Sequence, residues 1–172
     1  EHIIEKFTKN IGTNKFFFTL NYKATILKAF FEELNPDYNF EFIVEKIPLG
    51  TAGSLINLSN VIEVPFFVTN CDILIEADFY DFYDFHINNK FDITLVASTK
   101  EYVIPYGTCE LNENGHLSHI NEKPQFDFLI NTGLYIINPD IISLIPENKI
   151  YHFTDLIQDA NSAGKKIGVY PI

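Results

Sequence analysis

The sequence predicts an α/β domain, with a mostly parallel, mixed sheet carrying helices on both faces, and three observations lead there. Short aromatic and β-branched runs alternate with segments of helical spacing over the first hundred residues. Alternation at that spacing favours strands laid side by side and covered by the intervening helices. The 172 residues are 47% hydrophobic, with 17 Phe and 9 Tyr, enough apolar volume for one substantial core. One domain spanning residues 1–172, Rossmann-like in arrangement, is therefore expected.

Taken in order, residues 16 to 20 (FFFTL) read as a strand, and Leu27, Phe30, Phe31 and Leu34 then recur at helical spacing. The pattern repeats with a strand over 40–44, a helix over 52–58, a strand over 65–69, a helix over 77–88 and a strand over 92–98. After Pro105 the texture changes to shorter strands, with turns at Asn114-Gly115 and Lys123-Pro124, followed by an apolar run from Leu129 to Ile137. Helices near 139–145 and 154–163 and a last strand over 166–170 complete the prediction.

Twelve Lys, no Arg and 23 Asp and Glu give a formal net charge of -11. That balance disfavours nucleic acid, whose phosphates are bound through clustered cations, while leaving room for a small nucleotide held by a few donors and a divalent metal. Cys71 and Cys109 form no CxxC pair, so neither a disulfide framework nor a structural zinc site is suggested, and a reducing cytoplasm is the expected setting. No apolar run is long enough to cross a bilayer, and no membrane partner is expected. The chain opens at Glu1 and contains no Met, which suggests an excised piece of a longer protein.

In open α/β sheets ligands bind beyond the carboxyl ends of the strands, so the chemistry is sought just after each one. Four loops stand out. Glu45 to Ser54 (EKIPLGTAGS) leaves a strand, turns at Pro48 and Gly50 and enters a helix; alone it reads as an ordinary strand-to-helix loop, being neither GxGxxG nor a P-loop lysine motif. Asp72 follows the buried strand ending Thr69-Asn70-Cys71 and reads as a metal ligand, a helix cap or a solvated loop acid. The Asp-x-Asp that a metal-dependent glycosyltransferase would carry is missing, since Ile73 and Leu74 follow. Pro105-Tyr106-Gly107 opens a strand and Glu122-Lys123-Pro124 follows another; Lys123 suits phosphate and Glu122 suits sugar hydroxyls, though a charged turn is the plainer reading. Asn131-Thr132-Gly133 interrupts an apolar strand, either as a local bulge or as an amide facing a sugar.

Each signal is weak alone. In succession, Leu-Gly-Thr-Ala-Gly, Asn-x-Asp, Pro-Tyr-Gly, Glu-Lys-Pro and Asn-Thr-Gly resemble the sugar-1-phosphate nucleotidyltransferase family over essentially the whole chain, and Asn21-Tyr22-Lys23 is similar to its bacterial mannose-1-phosphate guanylyltransferase-like branch. The resemblance implies the nucleotide-diphospho-sugar transferase type of fold. It implies nucleotide contacts at Glu45, Leu49, Gly50 and Thr51, a Mg2+ ligand at Asp72, sugar contacts at Tyr106, Gly107, Glu122, Asn131, Thr132 and Gly133, and a phosphate contact at Lys123. Asp72 and Lys123 would be the catalytic residues. The family's N-terminal Gly-Gly-x-Gly-x-Arg loop and a second metal-binding Asp after the last strand are absent, so these 172 residues are expected to be inactive alone.

The implied partners are a nucleoside triphosphate and a sugar-1-phosphate, with a homo-oligomer left open. Relatives that use uridine or thymidine nucleotides tend to carry Gln where Glu45 stands. A carboxylate has acceptors only and can engage the two adjacent donors of guanine together, so GTP is the expected nucleotide. Two other readings remain at this point: a non-catalytic nucleotide or sugar-phosphate binding module, and a metal-dependent glycosyltransferase.

Overall fold

A computed structural model describes residues 2–172. The chain opens with a helix, α1 (His2–Ile11), then β1 (Lys15–Leu20), α2 (Ala24–Leu34) and β2 (Asn39–Val44). A short α3 (Gly50–Gly53) runs into a 3-10 turn (Ser54–Leu58), followed by β3 (Phe66–Thr69), α4 (Phe79–Asn89) and β4 (Ile93–Val103). The hairpin β5 (Thr108–Leu111) and β6 (Leu117–Asn121) leads to the long β7 (Gln125–Ile137), a 3-10 turn (Pro139–Leu144), α5 (Phe153–Ser162) and β8 (Ile167–Pro171).

The main sheet has the order β3-β7-β4-β8. Strand β7 is antiparallel to both β3 and β4, whereas β4 and β8 are parallel, so three strands run one way and β7 runs against them. This is the mixed, mostly parallel sheet that the sequence predicts. β1 and β2 make a separate parallel pair, in register from Lys15↔Asn39 to Leu20↔Val44.

Both faces are covered, and alternate residues of β7 show it. Tyr135 and Ile137 point to a cluster with Ala52, Leu55, Ile93, Ile141, Phe153 and Leu156. Leu134 and Ile136 point the opposite way, to Phe7, Phe79, Phe82 and Val96. Period-two alternation on a strand with helices on both sides places apolar residues at every position, the pattern seen in the run from Leu134 to Ile137. Ile93, Val96, Ile136 and Ile137 are completely buried; each such side chain contributes roughly 1.5–3 kcal/mol of transfer free energy.

The predicted elements recur with shifted ends. The helix expected over 52–58 is mostly 3-10, and the strands β4 and β7 extend well beyond the expected 92–98 and 129–137. Their extra residues, 99 to 103 and 125 to 128, belong to a solvent-exposed ribbon in which the two strands pair, which an apolar-run criterion for strands does not detect. Helix α1 is an addition: Ile4 and Phe7 are buried and Ile11 follows at helical spacing, with Phe7 stacked on Phe79 at 4.7 Å. In α2 the expected apolar stripe is only partly used, because Phe31 packs against Phe18 at 4.6 Å while Phe30 stays half exposed. Helix α4 begins where Asp78 caps it, its carboxylate accepting the N–H groups of Tyr80 and Asp81 at 2.9 and 3.1 Å.

Candidate active site

Topology gathers several loops at one end of the main sheet. Thr69 of β3 pairs with Leu134, and Ala97 of β4 pairs with Asn131, so the carboxyl end of β3 and the middle of β4 flank residues 131 to 133. Pro171 of β8 also pairs with Ala97, bringing a second carboxyl end to the same place.

Between Leu95↔Tyr135 and Ala97↔Asn131 the register shifts, leaving Val96 opposite residues 132 to 134. The local bulge is real, and its cause is legible atom by atom. Gly133 takes φ +84°, open to glycine and strained for other residues. Thr132 Oγ1 donates to the Val96 carbonyl at 2.9 Å, replacing a lost ladder bond. Asn131 Oδ1 accepts the Gly133 N–H at 3.0 Å, and Asn131 Nδ2 donates to the Tyr135 hydroxyl at 2.8 Å. The Asn131 side chain is exposed, so the bulge presents a pinned amide to solvent. Burial pushes the Tyr135 phenol pKa up, and the hydrogen bond from Asn131 partly opposes that shift.

The loop after β3 meets this bulge. The Asn70 N–H donates to the Gly133 carbonyl at 3.0 Å, and the Asn70 side chain lies against Gly133. Asp72, two residues on, is exposed. Among the described residues no group of three or more His, Cys, Asp and Glu side chains is arranged to hold a metal ion. One carboxylate is a poor match to a metal caged by protein alone. It suits Mg2+, which keeps several waters and takes one or two carboxylates together with substrate phosphates.

At the base of the β5–β6 hairpin, Gly107 and Glu122 come together. A Cβ on Gly107 would stand 3.1 Å from Glu122 Oε2, so a larger residue there would push that carboxylate aside by a few tenths of an ångström. Tyr106 and Lys123 flank the pair, both exposed, and Lys123 sits at φ +48° ahead of Pro124. Two motifs separated in sequence thus come into contact.

The fourth loop, Glu45–Thr51, follows β2. Glu45 is half-buried and its Oε2 accepts the Leu49 N–H at 3.2 Å, closing the loop on itself, while its carbonyl accepts from Asn21 Nδ2 at 3.2 Å. Gly50, at φ +79°, lies so close to the Tyr151 carbonyl that a Cβ would come within 2.6 Å of it. The Ala52 and Gly53 N–H groups donate to that same carbonyl at 3.0 and 3.1 Å. Thr51 Oγ1 accepts the Phe153 N–H at 3.0 Å, so its hydroxyl oxygen is engaged in starting α5. Residues 151 to 153 support the loop and were not among the sequence candidates; the only local signal was His152-x-x-Asp155, where Asp155 accepts the His152 N–H at 3.0 Å.

No helix of the described residues is long and apolar enough to cross a membrane. A profile of the family described as nucleotidyl transferase matches residues 1–168. Mannose-1-phosphate guanyltransferase of Saccharomyces cerevisiae is 33% identical across 79% of this chain and 40% of its own length. Mannose-1-phosphate guanylyltransferase catalytic subunit beta of Dictyostelium discoideum is 33% identical across 84% of this chain and 42% of its own. The chain thus spans about two fifths of the length of these curated relatives. Among solved structures, HddC from Yersinia pseudotuberculosis complexed with GMP-PN superposes with a TM-score of 0.74 at 25% identity, covering 99% of this chain and 75% of that one. A putative glucose-1-phosphate thymidylyltransferase from Bacillus anthracis, at 16% identity and a TM-score of 0.70, shares the fold across 99% of this chain and 72% of its own. The sheet, the loops at its carboxyl end and the profile running through both agree: the chain belongs to the nucleotidyl transferase family.

Proposed function

We propose that the protein carrying this domain transfers GMP from GTP to a sugar-1-phosphate, giving a nucleotide sugar and pyrophosphate. The names of the relatives from yeast and Dictyostelium make mannose-1-phosphate the first acceptor to try. The contact between Gly107 and Glu122 carries the reading best, because it brings two separate motifs together and sets beside the glycine an exposed carboxylate, an acceptor for a sugar hydroxyl.

In this reading an oxygen of the sugar phosphate attacks the α-phosphorus of GTP, the bond from that phosphorus to the β-phosphate oxygen breaks, and pyrophosphate leaves. Little covalent chemistry falls to the protein, which works by positioning and by neutralising charge. Lys123 offsets the charge of the sugar phosphate. Glu122 accepts from a sugar hydroxyl, and the Asn131 amide donates to the same substrate. The Leu49–Thr51 backbone and Glu45 receive the nucleotide. Asp72 supplies one ligand to a Mg2+ ion arriving with the triphosphate, and such an ion offsets the repulsion between two polyanions.

The test is pyrophosphate release by the full-length protein, with mannose-1-phosphate as acceptor and GTP, UTP, dTTP and ATP offered singly. GTP should give the highest kcat/KM. Pyrophosphate from none of them would leave a binding module, and release of free nucleoside diphosphate from a nucleotide sugar would point to a glycosyltransferase.

A further inference from the structure

A tyrosine in the core of this sheet has no packing need for its hydroxyl, since phenylalanine would fill the same space. Burying the hydroxyl costs free energy unless it is hydrogen-bonded. Tyr135 is only 4% exposed, and the partner of its hydroxyl is an exposed residue, Asn131. The direction of that contact is fixed. The Gly133 N–H can only donate, so the oxygen of the Asn131 amide must face Gly133 and its nitrogen must face Tyr135. One N–H of the amide remains, aimed by these two anchors.

The ring of Tyr135 is itself held. It stacks on Phe153 with centroids 3.9 Å apart and planes 4° from parallel. Phe153 begins α5, and its N–H is the group that Thr51 Oγ1 accepts. A continuous set of contacts therefore runs from the Leu49–Thr51 loop through Phe153 and Tyr135 to the Asn131 amide.

We propose that Tyr135 is a positioning residue for the sugar phosphate: its hydroxyl and the Gly133 N–H together aim the Asn131 amide, and the stack on Phe153 fixes that aim relative to the nucleotide loop. The inference rests on Asn131 contacting the sugar phosphate. Removing the hydroxyl leaves the amide nitrogen facing an apolar ring edge and frees the side chain to turn away, while the stack and the core stay filled.

The experiment compares Tyr135→Phe, Asn131→Ala and the double variant of the full-length protein, reading KM for mannose-1-phosphate, KM for GTP, kcat and Tm. Tyr135→Phe should raise KM for mannose-1-phosphate about five- to tenfold, the range of one lost hydrogen bond, with KM for GTP and Tm little changed. In the Asn131→Ala background the same change should add nothing. The proposal is overturned if Asn131→Ala raises KM for mannose-1-phosphate and Tyr135→Phe does not. It is also overturned if Tyr135→Phe raises both KM values together with a fall in Tm, the mark of a merely structural role. If Asn131→Ala itself leaves KM for mannose-1-phosphate unchanged, the underlying reading of Asn131 fails and takes the proposal with it.

Discussion

Gly133 and Asn70 are in contact across the β3–β7 pair: a Cβ built on Gly133 would lie 2.6 Å from Asn70 Nδ2 and 2.9 Å from its Cγ. The contact ties the loop that carries Asp72 to the bulge that carries Asn131. It also makes glycine necessary twice over, once for the positive φ and once for space.

Gly133→Ala should therefore cost about 1–2 kcal/mol from the left-handed backbone alone, plus whatever is needed to turn Asn70 aside. Gly115 provides the comparison, because it also has a positive φ, of +76°, yet a Cβ there would meet nothing within 4 Å. Urea titrations of the two alanine variants should show Gly133→Ala losing clearly more. Equal losses would mean that Asn70 yields without cost and does not brace the bulge.

His86 sets a pH dependence of stability. Its ring is 1% exposed, Nδ1 lies 2.8 Å from Thr94 Oγ1, and Nε2 lies 3.1 Å from Asn138 Oδ1. Asn138 Nδ2 donates to the Phe91 carbonyl, which leaves its Oδ1 as the acceptor and puts the imidazole proton on Nε2. Burial holds the pKa below the ordinary 6.5, outweighing the opposing influence of Asn138 and Asp92. The unfolded chain then binds a proton that the folded chain refuses, so this site's contribution is complete above about 6.5 and falls as the pH drops toward the folded pKa. The urea midpoint should fall on going from pH 7 to pH 5, and His86→Gln should flatten that fall. An unchanged slope in the variant would assign the pH dependence elsewhere.

How much of this could be read from the chain depended on sequence distance. The order of strands and helices was legible because hydrophobic period is a local property, and the bulge at 131–133 announced itself as Asn-Thr-Gly inside an apolar run. Helix α1 was missed although Ile4, Phe7 and Ile11 carry the right spacing, because only Ile4 and Phe7 of the ten-residue helix are fully buried, with Ile3 and Ile11 partly so. The supports of the nucleotide loop were not legible at all. Thr51 meets Phe153 across 102 positions and Gly50 meets the Tyr151 carbonyl, contacts created by packing over the shared core beneath α3 and α5. The pairing of Gly107 with Glu122 was intermediate: each motif was visible, but the hairpin that joins them had to close first.

For the metal, Asp72→Asn keeps the shape of the side chain and removes its charge. Turnover of the full-length protein should fall by roughly two to three orders of magnitude, as when a single transition-state stabiliser is removed. Part of the loss should be recovered at high magnesium, the mark of a weakened metal site. Wild-type turnover at limiting magnesium would remove Asp72 from the metal site.

Glu45 provides the sharpest test of base choice, because the structure gives its carboxylate a local role as well. One oxygen, Oε2, accepts the Leu49 N–H at 3.2 Å and so shapes the loop that would receive the nucleotide. Among the described residues it forms no ion pair with Lys46, so nothing there ties it to a neighbouring charge. A glutamine at this position still offers its amide oxygen to Leu49, so the loop should keep its shape. What changes is the other side of the group, where a carboxylate accepts and an amide nitrogen donates. Guanine presents two donors there, and a donor facing them is repelled. Glu45→Gln should therefore reduce kcat/KM for GTP about ten- to a hundredfold, the range of a lost charge-assisted hydrogen bond, and narrow the gap between GTP and UTP, with Tm nearly unchanged. If GTP selectivity survives the substitution intact, the carboxylate serves the loop alone and the base is read elsewhere.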